Sequence, residues 1–496
     1  MRKPNLLFIY TDEQAANTMA AYGNSLIETP NLDRLASQSV LFEQAYVSQA
    51  VCTPSRSTIL TGLYPHESGC TENNVPLPEE VRCLPELGDF SEYRTGHFGK
   101  WHLGDEIFAQ HGFQEWVSIE DAYRGYYGPS RDHNARSTYH RWLLEHGFEP
   151  QEARDGFKLF PRPFCARLPE QFSKPAYLAD EATRFIRENS SCPFILYVNF
   201  LEPHMPFFSA RNGQYDPDKV PLPPNFSAFP GPEQHPKLRL LRNYMQRCRI
   251  GGMPMATESD WRRLIANYWG LCNLVDTHVG RILDALRECG LEDNTIVVYT
   301  SDHGDMMGSH GLVAKCTQYQ EAVRVPLMLR VPWLRQAPRR VAGPVSQIDL
   351  VPTLLDLLGQ PAPSGLTGRS WRPCLESKSD FPKEDVLIEW NGPNSGMGNA
   401  LVALPDMIPE LAPSQEEADA YITDPVRTII THDGWKLNCS PLGYHELYNL
   451  KHDPGETRNV VREEALRDLV QDLFRRILAW QERVADPIDL SQCRLP

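Results

Sequence analysis

The sequence predicts an α/β protein whose polar working residues gather at the carboxyl ends of buried strands, followed by a smaller C-terminal domain. Three observations carry this. The apolar runs NLLFIY, PFILYVNF and TIVVYT are short and β-rich, and polar residues follow each at once: Asp12, then Glu202 and His204, then Asp302 and His303. Helical patterns, YLADEATRFIREN and LIANYWGLCNLVDTHVGRILDALREC, lie between the runs. The 496 residues exceed one ordinary core and call for a large domain plus a smaller one.

Taken in order, the first strand ends at Asp12, and in an open parallel sheet ligands sit outside such carboxyl ends. Residues 205–255 are rich in Pro and lack a sustained period, so a long surface excursion is expected beside His204. VSQIDLVPTLLDLLG reads as an amphipathic helix stopped by Gly359, and the polar stretch ESKSDFPKED after it marks a boundary. The expected division is 1–380 and 381–496. The smaller unit begins near Val386 with strands DVLIEW, VRTIIT and WKLNC and closes with the helical REEALRDLVQDLFRRILAWQERV.

Composition excludes several classes. The formal net charge of −15 disfavours nucleic acid or an anionic membrane as the main partner, because both require a basic footprint. No apolar run is long enough to span a bilayer, and the start MRKPNLLFIYTD lacks a signal-type apolar region, so a cytoplasmic protein is expected. Twelve scattered Cys without a C-x-x-C pair suit reduced thiols better than a disulfide framework.

Asp12, Glu13, Asp302 and His303 supply three carboxylates and one imidazole at two strand ends, a set suited to a hard divalent cation such as Ca²⁺ or Mg²⁺. TGHFGKWHLGD brings Lys100 and His102 together, and strand alternation would turn both side chains the same way. With Arg56, His204 and Lys315 they would form an anion pocket. Cys52, in VCTPSRSTILTG, stands on the approach to a helix with three residues between it and Arg56, where a helix dipole and a guanidinium would both favour a thiolate.

CTPSR followed by TG resembles the Cys-type signature of the formylglycine-dependent sulfatases, C-x-P-x-R with a downstream T-G. GKWHLG, TPNLDRLA, EPHMPF, SDHGDMMGSHG with Lys315, and ELYNLKHDPGETRN resemble further segments of that family, in the family's order. The resemblance implies an alkaline-phosphatase-like sandwich with a large, mostly parallel central sheet flanked by helices. It also implies a smaller C-terminal α+β domain with an antiparallel sheet, and hydrolysis of sulfate monoesters. It further implies that a separate formylglycine-generating maturation enzyme oxidises Cys52 to formylglycine, whose hydrated diol supplies the nucleophile on one divalent cation, Ca²⁺ foremost, with Mg²⁺ or Mn²⁺ as alternatives.

Carried over residue by residue, the resemblance makes Asp12, Glu13, Asp302, His303 and the oxidised residue 52 metal ligands. At position 13 many relatives have a second Asp where this chain has Glu. Arg56 and Lys100 would hold formylglycine and sulfate oxygens, and His102 would take the diol proton. His204 and Lys315 would bind sulfate and protonate the leaving alcohol; His310 stays outside the catalytic set. The expected partner is a small anionic sulfate ester, with a sulfated sugar as first choice because such substrates are common in the family the chain resembles and because aromatic and Arg-rich segments suit sugars. The 205–255 excursion, YRGYYGPSRDHNARSTYHRW and NGPNSGMGN are candidate pocket linings. Phosphonate monoester or phosphodiester hydrolysis is the alternative, and a non-catalytic binding protein on the same scaffold is a more distant one.

Overall fold

The computed structural model describes residues 3–154, 157–247, 249, 251–334, 339–377, 381–392, 412 and 414–495. Among the described residues, ten strands and most of the helices precede residue 380. They are β1 (Asn5–Asp12), β2 (Val40–Tyr46), β3 (Arg94–Gly99), β4 (Glu115–Val117), a small hairpin of β5 (Glu152–Arg154) and β6 (Phe157–Leu159), β7 (Phe194–Pro203), β8 (Thr295–Ser301), β9 (Arg324–Arg330) and β10 (Arg339–Ser346). Eight of these form one sheet in the order β10-β2-β9-β8-β1-β7-β3-β4. Only β9 runs against the others in it, pairing antiparallel with both β8 and β2.

The apolar runs explain why β1, β7 and β8 occupy the centre. Leu6, Phe8 and Tyr10 of β1 enter one core with Ile195 and Tyr197, while Leu7 and Ile9 enter the core on the opposite face with Leu196 and Val198. A strand covered on both faces needs apolar residues at every position, and these runs supply them. The helices Lys174–Glu188 and Glu258–Glu288 cover the second face. The longer one starts at a reciprocal cap in which the Thr257 hydroxyl accepts from the Asp260 N–H and the Asp260 carboxylate accepts from the Thr257 N–H.

The C-terminal part forms a four-stranded antiparallel sheet of β11 (Val386–Glu389), β12 (Arg427–Ile430), β13 (Trp435–Cys439) and β14 (Glu446–Asn449). The helix Arg467–Val484 lays Leu473, Ile477 and Trp480 against Ile429, Leu437 and Leu447 of that sheet. Among the described residues no helix is long and apolar enough to cross a membrane, and every described cysteine is a free thiol.

Three local expectations change. The 205–255 excursion contains a helix, Pro236–Arg247, that buries Leu238, Leu241 and Met245; its three-and-four spacing is short and hidden between Pro-rich flanks. Ser346 and Val345 of the expected VSQIDL helix belong to β10, and the helix proper is Leu350–Leu357. Lys100 and His102 do not lie on an extended strand: β3 ends at Gly99, and His102 has φ +60°. A Cβ at Gly99, where φ is +121°, would lie 1.9 Å from the Asn199 carbonyl oxygen, so only glycine allows the chain to turn there. The 380/381 boundary adjoins, and NGPNSGMGN from 393 onward lies among, residues outside the described set.

Candidate active site

The expected site residues converge because β8, β1, β7 and β3 are neighbours and their carboxyl ends point the same way. Asp12 closes β1, Asp302 and His303 follow β8, His204 follows β7 and Lys100 follows β3. Cys52 is the first residue of the helix Cys52–Thr61, buried at its amino end. Ligand atoms of Asp12, Cys52, Asp302 and His303 all lie within 4.8 Å of one another, and all four residues are buried.

Arg56, four residues on and on the same helix, organises the two aspartates. Its Nη2 donates to Asp12 Oδ2 at 2.9 Å, and its Nε lies 2.9 Å from Asp302 Oδ2. Its Nη1 donates to the Lys100 carbonyl at 2.8 Å and to Asn199 Oδ1 at 2.7 Å. Each aspartate thus gives Oδ2 to the guanidinium and turns Oδ1 toward the cluster. Cys52 Sγ is 3.8 Å from Asp12 Oδ1, and His303 Nε2 is 3.7 Å and 3.5 Å from the Oδ1 atoms of Asp12 and Asp302. His303 Nδ1 faces the Gly304 carbonyl at 2.9 Å, which orients the ring with Nε2 toward the cluster.

Glu13 departs from this arrangement. Its backbone, at φ +72°, donates to Asp302 Oδ1 at 3.1 Å, but its side chain groups with Asp12 and His204 instead. Glu13 Oε2 is 3.2 Å from Lys315 Nζ and 3.5 Å from His204 Nε2, whereas Oε1 is buried without a hydrogen-bond partner among the described residues. Burial pushes its carboxyl up to about 8, against the pull of Lys315.

The surrounding charges set protonation. Burial raises the Asp12 carboxyl, but Lys100, His204 and Arg56 overcome it and hold the group well below its usual range. Burial and Asp12 oppose a thiolate at Cys52, yet Lys100, Lys315 and His303 bring its pKa down. Lys100, 2.5 Å from Asp12 Oδ2, is raised despite burial, and Lys315 is raised well above its usual value by Cys52, Glu13 and Asp12. Burial, with Lys100 beside His102 and Lys315 beside His204, holds both imidazoles well below theirs.

His102 is tightly placed. Its N–H donates to Glu106 Oε2 at 2.6 Å, its Nε2 meets Asn74 Oδ1 at 2.9 Å, and its ring stacks on Tyr123 with centroids 4.1 Å apart. The opposite nitrogen, Nδ1, is buried with no hydrogen-bond partner among the described residues. Asn74, Glu106, Tyr123 and Asn199 escaped the sequence reading. Tyr123 lies in the aromatic stretch suspected of lining a pocket, and Asn199 is the polar residue inside the otherwise apolar run PFILYVNF, a usable signal. His310 stacks on Tyr319 at 3.9 Å, and its nitrogens meet the Ala228 carbonyl and Asn225, which ties it to the loop rather than to the cluster.

A family model described as Sulfatase matches residues 4–360. The chain is 28% identical over 511 residues to "Uncharacterized sulfatase YidJ" of Escherichia coli (strain K12), covering 100% of this chain and 90% of that protein. It is 27% identical to the "N-acetylglucosamine-6-O-sulfatase" of Bacteroides thetaiotaomicron, covering 77% of this chain and 73% of that one. Among solved structures, the phosphonate monoester hydrolase SpPMH from Silicibacter pomeroyi superposes with a TM-score of 0.75 at 24% identity, over 97% of this chain and 95% of its own, a likeness of fold. With the family model spanning most of its length, this chain belongs to the Sulfatase family of sulfuric ester hydrolases.

Proposed function

We propose that this protein hydrolyses the sulfate monoester of a sulfated sugar, using formylglycine at position 52 and one divalent cation. The carrying observation is the buried cluster of Asp12, Asp302, His303 and residue 52, with Lys100 and Lys315 beside it. The donors fit a hard cation: two aspartate Oδ1 atoms and one imidazole nitrogen converge, and Ca²⁺ is the first choice, with Mg²⁺ or Mn²⁺ as alternatives. A thiol is the odd member of such a set, and oxidation of Cys52 to formylglycine replaces that soft donor with oxygen. Glu13 stays in the proposal as a metal ligand, although its carboxyl faces Lys315 and His204 rather than the other four ligands here.

When bound, the cation would lower the pKa of an oxygen held on it and offset the charge of the sulfate. Arg56 fixes both aspartates with Oδ1 inward. Lys100 and Lys315 offer ammonium groups to the sulfate oxygens. His102, with Nε2 engaged by Asn74 and Nδ1 unpartnered, is placed to accept a proton. On the leaving side Lys315 holds the proton and His204 stands next to it across Glu13. The catalytic unit of this proposal is 1–380, with 381–496 as the smaller domain.

The test uses protein made with a formylglycine-generating maturation enzyme. Mass spectrometry of the peptide ending at Arg56 should show formylglycine, and sugar sulfates should be turned over faster than phosphonate monoesters. His204→Ala and Lys315→Ala should each cost at least ~10-fold more on a sugar sulfate than on an activated aryl sulfate, whose phenolate leaves with less help. Full activity with an unmodified thiol sinks the nucleophile assignment. A matured enzyme faster on phosphonate monoesters than on every sulfate ester promotes the alternative reading.

A further inference from the structure

Beside His204 lies a small cavity of about 20 Å³ lined by Arg162, Lys174, Glu202, Pro206 and Ser209 among others. Room of that size admits one water or one hydroxyl group, since about 10–15 Å³ holds a single water. Its walls carry unfilled hydrogen-bonding capacity. Arg162 is held by Nε donating to Glu120 Oε2 at 2.7 Å and by Nη2 donating to the Tyr123 hydroxyl at 2.8 Å. Those two bonds leave Nη1 without a partner among the described residues, and a guanidinium has five N–H donors. Glu202 presents the complement: its Oε2 is buried with no hydrogen-bond partner among the described residues. Lys174 bonds Glu120 from the other side, so Arg162 is anchored at its inner edge rather than free to swing.

The cavity is tied to the reacting end of the site by two contacts. His204 lines it directly, and the Tyr123 that Arg162 holds is the ring stacked on His102, with Lys100 Nζ 5.8 Å from its centroid. A hydroxyl both donates and accepts, so a donor and an acceptor on one water-sized socket match it better than they match a carboxylate or an apolar group. An unpaired buried acceptor also penalises a ligand that brings no donor.

Resting on the sulfatase reading above, we infer that Arg162 and Glu202 form a socket for one ring hydroxyl of the leaving sugar, accepting from it at Glu202 and donating to it at Arg162. The socket makes the substrate a polyol sulfate and rejects simple alkyl sulfates. Sites built to bond a substrate hydroxyl discriminate strongly against the analogue lacking it.

The experiment is a cycle between substrate and protein. A panel of pyranose monosulfates is assayed with matured enzyme, and the mono-deoxy analogues of the best one are compared in the wild type, Arg162→Met and Glu202→Gln. Binding of the same compounds to full-length Cys52→Ala protein with Ca²⁺, followed by calorimetry, gives a readout that needs no formylglycine. One deoxy position should cost at least ~10-fold in kcat/KM and in affinity, and that penalty should shrink below ~3-fold in both variants. A penalty unchanged in both variants, or no sensitive position, overturns the socket while the sulfatase reading stands. Binding and turnover of phosphonates with none of any sugar sulfate overturns both. If Arg162→Met melts far below the wild type, Arg162→Lys and Glu202→Gln carry the comparison, since each keeps the local charge or shape.

Discussion

Two arginines with no solvent exposure, Arg56 and Arg427, sit in the two halves of the molecule and are used in opposite ways. Arg427 on β12 makes a two-pronged pair with one carboxylate, Nε and Nη2 donating to the two oxygens of Asp486 at 2.7 Å each, and its remaining donors meet the Trp390 carbonyl and Asn391 Oδ1. Both partners are satisfied, and the pair pins the segment just after the helix Arg467–Val484 to the small sheet. Arg56 takes one oxygen from each of two aspartates and leaves the other oxygen of each facing a cluster of ligand atoms. A matched pair holds a fold together, whereas a divided one keeps donor atoms aimed at something the protein has yet to bind.

The largest effect that could break this contrast is at position 52. Cys52→Ala removes the precursor of the nucleophile, so turnover should fall on the order of a thousandfold or more. The melting temperature should move by no more than about 3 °C, because a small buried side chain is exchanged for a smaller one. Rates on an aryl sulfate and a melting curve check both, and substantial residual turnover would remove residue 52 from the chemistry.

The divided carboxylates give the next effect. Asp302→Asn keeps the shape but removes a charge from the cluster, so bound divalent metal and rate should fall together, and chelation of the wild type should abolish activity until Ca²⁺ is restored. Metal content by elemental analysis beside kcat decides it. Full activity in chelated protein would leave Arg56 arranging two aspartates for no cation.

The matched pair gives the converse. Arg427→Met strands Asp486 in a protein interior, which should cost about 3–5 kcal/mol of stability. Activity per folded molecule should stay at the wild-type level, because Arg427 touches no residue of the cluster. Denaturant melts and active-site-normalised rates test this, and a loss of kcat with no loss of stability would reverse the roles assigned to the two halves.

The convergence of the candidate site residues was more legible in the sequence than the scaffold around them. The runs before Asp12, His204 and Asp302 announce their strands because burial on both faces demands unbroken apolar residues. RTGHFG, which becomes β3, carries two glycines and a histidine and gave no strand signal, so the neighbourhood of Lys100 rested on a motif. The alternation assumed for Lys100 and His102 failed because the left-handed turn at Gly99 is set by the Asn199 carbonyl, a contact from another strand. Glu13 could be named but not placed, since its grouping with Lys315 and His204 depends on loops that local pattern does not encode. The partnering of Arg56 with both aspartates was invisible for the same reason: it joins residues 44 and 246 positions apart in the chain.

The smallest effect belongs to the seam between the two halves. His66, just beyond the Cys52 helix, places Nδ1 2.5 Å from Glu389 Oε1 on β11 and Nε2 3.0 Å from the Val484 carbonyl at the end of the last helix. Both nitrogens face acceptors, so only the doubly protonated ring donates to both. Burial opposes that charge, but the bond and the charge of Glu389 lift the imidazole from 6.5 to about 8. The folded pKa is therefore above the unfolded one. The stabilisation, about 2 kcal/mol at most for a shift of this size, is fully present below the unfolded value and is lost as pH rises through about 8. His66→Gln cannot change charge, so the stability difference between wild type and variant should be largest near pH 6 and shrink steadily from about 6.5 to about 8.5. Paired urea melts across that window measure the difference directly. A difference that stays constant with pH would mean that the imidazole is neutral at the seam and that Glu389 holds it by shape and a single hydrogen bond.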